Sequence, residues 1–202
     1  MSASSSYHSW HKPNVSGTKA SGGNSRTHQG YYKPIHIEKY IGDINTIIYR
    51  SSWEYSFARW CDMSPSILKW SSEPISVPYM SRVDKLDECQ KNGLNPNNPV
   101  NWIRKNYHTD FYLMIDKGEG IIEKWFIEIK PFNELKKPQI IKDNASLKEV
   151  KRFTLAAKTY LTNESKWVAM NNYANKTGCK FYVFTEIELK RLGILGGQFD
   201  LK

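Results

Sequence analysis

The chain has 202 residues and a formal net charge of +9, a size that fits one domain with an extension. It has no run of about 18 apolar residues, which excludes a transmembrane helix, and its opening "MSASSSYHSWHKPNVSG" lacks a secretory apolar stretch, which predicts an intracellular protein. Cys61, Cys89 and Cys179 are too few and too scattered for a disulfide framework or zinc motif, and the positive balance favours a polyanion such as nucleic acid.

Residues 1–30 are rich in Ser, Gly, Asn, Thr and His, carry Lys12, Lys19 and Arg26 and hold no acid. They predict a flexible basic tail of disordered type, ordered only by a partner into which Tyr7, Trp10 and Tyr31 would insert. The folded domain is expected over 31–202. In "YRSSWEYSFARWCD", Trp53, Phe57, Trp60 and Cys61 recur at the spacing of one helix face, with Ser51 or Ser52 as cap. "ILKW" and "ISVPYMS" read as short strands, the second an edge or bulge because of Pro78. Residues 84–106 are polar and rich in Pro and Asn, and predict an inserted connection with about one helical turn. "YHTDFYLMID" and "IIEKWFIEIK" flank "KGEG" as a hairpin. Beyond Pro131, "LKEVKRFTLAAKTYL" holds a helix. A second is expected over "NESKWVAMNNYANKTG", capped by Asn163 or Ser165 and stopped by Gly178. "KFYVFTEIEL" is an aromatic strand leading into a short helix, with Thr185 as cap before Glu186. A strand, a helical crossover and a parallel strand give an α/β fold with a mixed sheet.

Within "KWFIEIKP" the period-2 pleat sends Phe126, Glu128 and Lys130 to one face and Trp125, Ile127 and Ile129 to the other. A turn centred on Glu119 sets Asp110 opposite Glu128. Two facing carboxylates about 5 Å apart repel each other, so either they face water or they share a cation. In the second case Asp110 and Glu128 are the metal ligands. Mg²⁺, with Mn²⁺ as a substitute, suits two carboxylates plus waters and a phosphate oxygen. Lys130 on the same face is placed to orient or deprotonate a water, or to stabilise charge on a phosphate.

"HTDF" followed across a hairpin by "FIEIKP" resembles the D…(D/E)xK core of restriction-like, PD-(D/E)xK nucleases, with Thr109 where proline is usual. In a wider pattern, "YIGDINTIIYRSSWEYSFARWCD", "ILKWSSEPISVPY", "TDF", "WFIEIKP", "SKWVAMNNYA" and "KFYVFTEIEL" in this order resemble the head-completion nucleases of large tailed bacteriophages. A more distant likeness is to transposase-associated restriction-like endonucleases. The resemblance spans 38–190 and leaves out the tail and the 84–106 insertion. It implies a restriction-endonuclease-like mixed sheet flanked by helices, and Mg²⁺-dependent cleavage of double-stranded DNA. It also implies an acid on the first helix, matched by Glu54, as a further metal contact; the spacing from Ser51 equally fits a capping box. The function so implied is head completion after DNA packaging. The protein would act at or near the portal or neck vertex, in the virion and in host cytoplasm during assembly, with head and neck proteins as partners of the tail and no membrane. The competing readings are a neck adaptor that keeps the nuclease fold, and a basic DNA-binding module without chemistry. His108, Glu73, Glu186 and Lys166 are lesser candidates, Lys166 for touching DNA beside the core aromatic Trp167.

Overall fold

A computed structural model describes residues 29–196, so the tail's proposed anchors and cations, apart from Tyr31, lie outside the described residues. A mixed four-stranded sheet, in the order β3 (Ile67–Ser72), β6 (Phe111–Asp116), β7 (Ile122–Ile129), β8 (Lys180–Phe184), forms the centre. Its first three strands are antiparallel, and β8 joins β7 in parallel at the edge. Two small ribbons complete the strands: β1 (Gly30–Tyr31) with β2 (Ile48–Tyr49), and β4 (Ser76–Ser81) with β5 (Ile103–His108). The fold class is thus α/β with a mixed sheet, as the patterning predicts. Among the described residues no helix is long and apolar enough to cross a membrane.

Helix α1 (Ser52–Met63) covers one sheet face. Ser51 caps it, accepting from the Glu54 N–H at 3.2 Å, and Phe57, Ala58 and Cys61 are buried against Trp70, Phe111, Leu113, Ile127 and Ile129. The opposite face packs against α4 (Leu147–Lys176) and the β4–β5 ribbon, with Val77, Tyr79, Tyr107, Phe126, Met170 and Ala174 as its core. Trp125, Ile127 and Ile129 therefore face α1 while Phe126 faces α4, the division the pleat requires. The four residues Phe126 to Ile129 are all buried, because β7 is covered on both sides.

The hairpin turns through Gly118, Glu119 and Gly120, all at positive φ, and pairs Asp116 with Ile122 and Phe111 with Ile127. This is the register of a turn centred on Glu119. Two expectations need correction. The 84–106 stretch holds its expected short helix, α2 (Leu86–Lys91), but 103–106 belongs to β5 rather than to a connection. Arg104, Lys105 and Asn106 hid that strand, since three successive exposed polar residues break the apolar alternation. The two helices expected after Pro131 are one. Ser146 and Glu149 form a capping box, no Gly or Pro interrupts 147–176, and Ser165 donates back to the Leu161 carbonyl instead of capping. Gly178, at φ +67°, closes the helix as expected. A short α3 (Phe132–Leu135) precedes α4, and α5 (Glu186–Arg191) starts from the Thr185 cap.

Candidate active site

Asp110 occupies the two-residue step between β5 and β6. Thr109, fully buried, donates its hydroxyl to the Ile127 carbonyl at 3.0 Å, and the Asp110 carbonyl accepts from the Glu73 N–H at 2.9 Å. The Asp110 carboxylate accepts from the Ile129 N–H at 2.7 Å, which holds it across the end of β7. Glu128 is 2% exposed and not on a solvated face. Its Oε2 accepts from the Tyr107 hydroxyl at 2.5 Å, and its Oε1 lies 2.9 Å from Lys130 Nζ. Lys130 also donates to the Ile129 carbonyl at 3.3 Å.

The electrostatics bind these groups together. Burial first, then the Glu128 charge, pushes the Asp110 carboxyl well above the usual carboxylate range, against Lys130 and the Ile129 N–H. Burial opposes the Lys130 ammonium, but Glu128 and Asp110 outweigh it and raise its pKa. Burial also raises Tyr107, helped by Glu128, so the phenol stays a donor. Lys166 of α4 stands with its Nζ 5.4 Å from the centre of the Tyr107 ring, and burial lowers its pKa while Glu128 pulls the other way. Asp110, Glu128, Lys130, Tyr107 and Lys166 thus form one cluster at the end of β7.

Glu54 is nearby but otherwise engaged. Its Oε2 accepts from the Arg50 N–H at 2.7 Å and its Oε1 from the Ser51 hydroxyl at 3.0 Å, although its charge still adds to the field on Asp110. Both oxygens serve the helix start, the capping alternative. Glu73 pairs with Arg50 at 2.7 Å on the site's rim. His108 is exposed on β5. Glu186 accepts from the Phe132 N–H at 2.9 Å, and Trp167 is half-buried in α4.

Sequence reasoning missed Tyr107. In one unbroken strand Tyr107 and Asp110, three apart, would point to opposite faces. Across the step at Thr109–Asp110, Tyr107 bonds Glu128 while the Asp110 carboxyl lies in its field. Its signal was present in the aromatic just before "HTD", but only the separate β5 gives it meaning.

Residues 64–186 match the TnsA-like endonuclease N-terminal family. Over 169 residues the chain is 32% identical to the head completion nuclease of Enterobacteria phage T4, a span covering 84% of this chain and 98% of that relative. The chain belongs to the head-completion nuclease family. The TnsA-like match takes in Tyr107, Asp110, Glu128, Lys130 and Lys166, so the buried cluster lies inside the endonuclease region of this head-completion nuclease homologue, while Glu54 precedes it.

The cluster also fits a hard divalent cation. Its acids are oxygen donors, and a buried pair of like charges is costly until a cation neutralises it. Among the described residues no group of three or more His, Cys, Asp or Glu gathers as a metal site. Two carboxylates are nonetheless the complement that Mg²⁺ takes when waters and a substrate phosphate supply the rest.

Proposed function

We propose that the protein is a Mg²⁺-dependent endonuclease that hydrolyses phosphodiester bonds in double-stranded DNA during phage head completion. The observation that carries this is the buried Glu128, bonded by Tyr107 and Lys130 and facing the raised carboxyl of Asp110. Asp110 and Glu128 would hold the metal, whose charge polarises the phosphoryl oxygen and stabilises the charge that develops in the transition state. Lys130, fixed by Glu128, orients the attacking water and offsets negative charge on the phosphate. Lys166, on the Tyr107 ring, is positioned to meet a second phosphate oxygen. Glu54 acts from the helix start by strengthening the negative field at Asp110. Residues 31–202 form the nuclease domain. The basic segment 1–30 would engage head or neck proteins, placing the enzyme at or near the portal vertex of the virion after its assembly in host cytoplasm.

A plasmid-nicking assay tests the chemistry. With Mg²⁺ the wild type should nick supercoiled plasmid, and Lys130→Ala should lose at least about 10²-fold in rate, the scale of removing one preorganised electrostatic group. Wild-type protein unable to nick under these conditions would turn the assignment to the neck-adaptor role.

Tyr107→Phe removes the Glu128 hydroxyl bond without opening a cavity. The Mg²⁺ concentration for half-maximal activity should rise about tenfold or more, as when a group that orients a ligand is lost. The rate at saturating Mg²⁺ should fall less. The Mg²⁺-induced rise in Tm should shrink in parallel, and an unchanged metal dependence would show that Tyr107 only packs.

A further inference from the structure

We propose that the projecting first half of α4, with the connection before it, is a cationic arm that grips the backbone of duplex DNA flanking the cleaved bond. The proposal rests on the nuclease reading above and adds where its substrate lies. Residues 136–158 hold seven bases (Lys136, Lys137, Lys142, Lys148, Lys151, Arg152 and Lys158) against Asp143 and Glu149, so this stretch supplies +5 of the chain's +9.

Helix geometry aims these charges. Lys148 and Lys166 are 18 residues apart, which at 3.6 residues per turn is five turns, so both lie on one line along α4. At Lys166 that line looks onto Tyr107 and the acid cluster. Nearby, Asn163 is buried and bonds Glu134 of α3 at 3.2 Å, and Met170 is buried against the sheet. Toward its N-terminus the same helix leaves the sheet. Residues 147–152 and 154–156 are exposed, with Leu147 81% and Leu155 69% accessible. Lys151 and Arg152, three and four residues beyond Lys148, are its neighbours on the helix surface. The site-facing line therefore runs past Thr162, Thr159 and the exposed Leu155 into open space and ends on a cluster of three cations.

Lys148, Lys151 and Arg152 have no carboxylate within ion-pair distance among the described residues. Lys158 is partly engaged, 3.5 Å from Asp87 of α2. A rise of 1.5 Å per residue sets Lys148 about 27 Å from Lys166, the length of about eight base pairs. Lys136, Lys137 and Lys142 are exposed along the connection from β7 to α4, on the path between site and arm. A cationic cluster that stands about 27 Å from a phosphodiester site, on the same helix line, can reach the backbone of a duplex bound there, and this charge outweighs the exposed leucines as a guide to the partner.

The test uses full-length protein and a duplex of about 30 base pairs in EDTA, with affinity measured from about 50 to 200 mM NaCl. The triple variant Lys148→Ala, Lys151→Ala, Arg152→Ala keeps strong helix formers, so its melting should match wild type. The slope of log affinity against log salt should flatten by about 2–3, since each phosphate contact contributes about 0.9. Affinity at about 100 mM NaCl should fall at least tenfold, while kcat at saturating duplex stays at the wild-type value; Lys148→Arg with Lys151→Arg should keep the slope. An unchanged slope, a loss confined to single-stranded DNA, or a wild type that does not bind duplex would each overturn the arm. Wild-type protein that binds with the steep slope but does not cut with Mg²⁺ would sink the nuclease reading and leave the arm standing.

Discussion

Asp110→Asn should abolish Mg²⁺-dependent cleavage, by at least about 10²–10³-fold, while leaving the metal-free protein as stable as wild type or more so. The two halves of this expectation have one cause. Asn keeps an oxygen to accept from the Ile129 N–H, the contact that Asp110 makes at 2.7 Å, so the end of β7 stays fixed. What it loses is a charge that burial and Glu128 both oppose. Lys130 retains Glu128 at 2.9 Å, so no cation is stranded. A carboxyl kept where burial and Glu128 both oppose its ionisation serves something other than the fold. Plasmid nicking reads the first half and urea unfolding in EDTA the second. Added Mg²⁺ should raise the wild-type Tm through binding to the native state, and the variant should lose most of that rise. Cleavage by the variant at the wild-type rate would end the metal-site assignment. A loss of about 3 kcal/mol in EDTA would make Asp110 a structural charge instead.

How far the site could be read from sequence depended on which rule governed each residue. The hairpin register that leads toward Asp110 and Glu128 was legible because a strand has period 2 and the glycines beside Glu119 fix the turn. Burial of Glu128 was not legible, since the alternation of "KWFIEIKP" fits a half-exposed strand as well as one covered on both faces. Tyr107 depends on a break in strand direction at Thr109–Asp110 that leaves no mark in periodicity. Helix α4 misled because Asn163 and Ser165 carry the chemistry of caps. Other contacts claimed them instead, Asn163 the tertiary one to Glu134 and Ser165 the local one to the preceding turn of its own helix. Glu54 satisfied two rules at once, and only the Arg50 and Ser51 bonds separate them.

Asp62 gave no signal in sequence, yet Asp62→Ala should be the most destabilising of these substitutions, at about 3–5 kcal/mol and a fall in Tm on the order of 10 °C. An acid near the C-terminal end of α1 faces the unfavourable pole of the helix dipole, and this one is fully buried. Donors compensate it. The Tyr32 hydroxyl at 2.9 Å and the Ile35 N–H at 2.7 Å reach one oxygen, and the His36 N–H at 3.0 Å reaches the other. Lys39 Nζ donates to the Asp62 and Ser64 carbonyls at 2.8 and 2.9 Å, tying the same segment to the helix end. Alanine would leave three donors without an acceptor, each costing about 1–3 kcal/mol when buried. Tyr32 packs on Tyr55 and Trp70, so its loosening would reach the core beneath α1. Asp62→Asn, which keeps an acceptor, should lose less than Asp62→Ala. The network also sets an alkaline limit. Burial, then Asp62, raises the Tyr32 pKa above its ordinary value near 10. The unfolded chain therefore ionises this tyrosine first, and the stability it contributes is full below about pH 10 and drains as pH rises beyond it. Tyr32→Phe should cost about 1.5–3 kcal/mol at neutral pH and flatten that decline. Urea unfolding of the three variants at neutral pH, with wild type and Tyr32→Phe repeated at alkaline pH, decides the matter. Asp62→Ala within about 1 kcal/mol of wild type would mean that water replaces the carboxylate and that the Lys39 bonds and aromatic contacts suffice to hold the 30–40 segment.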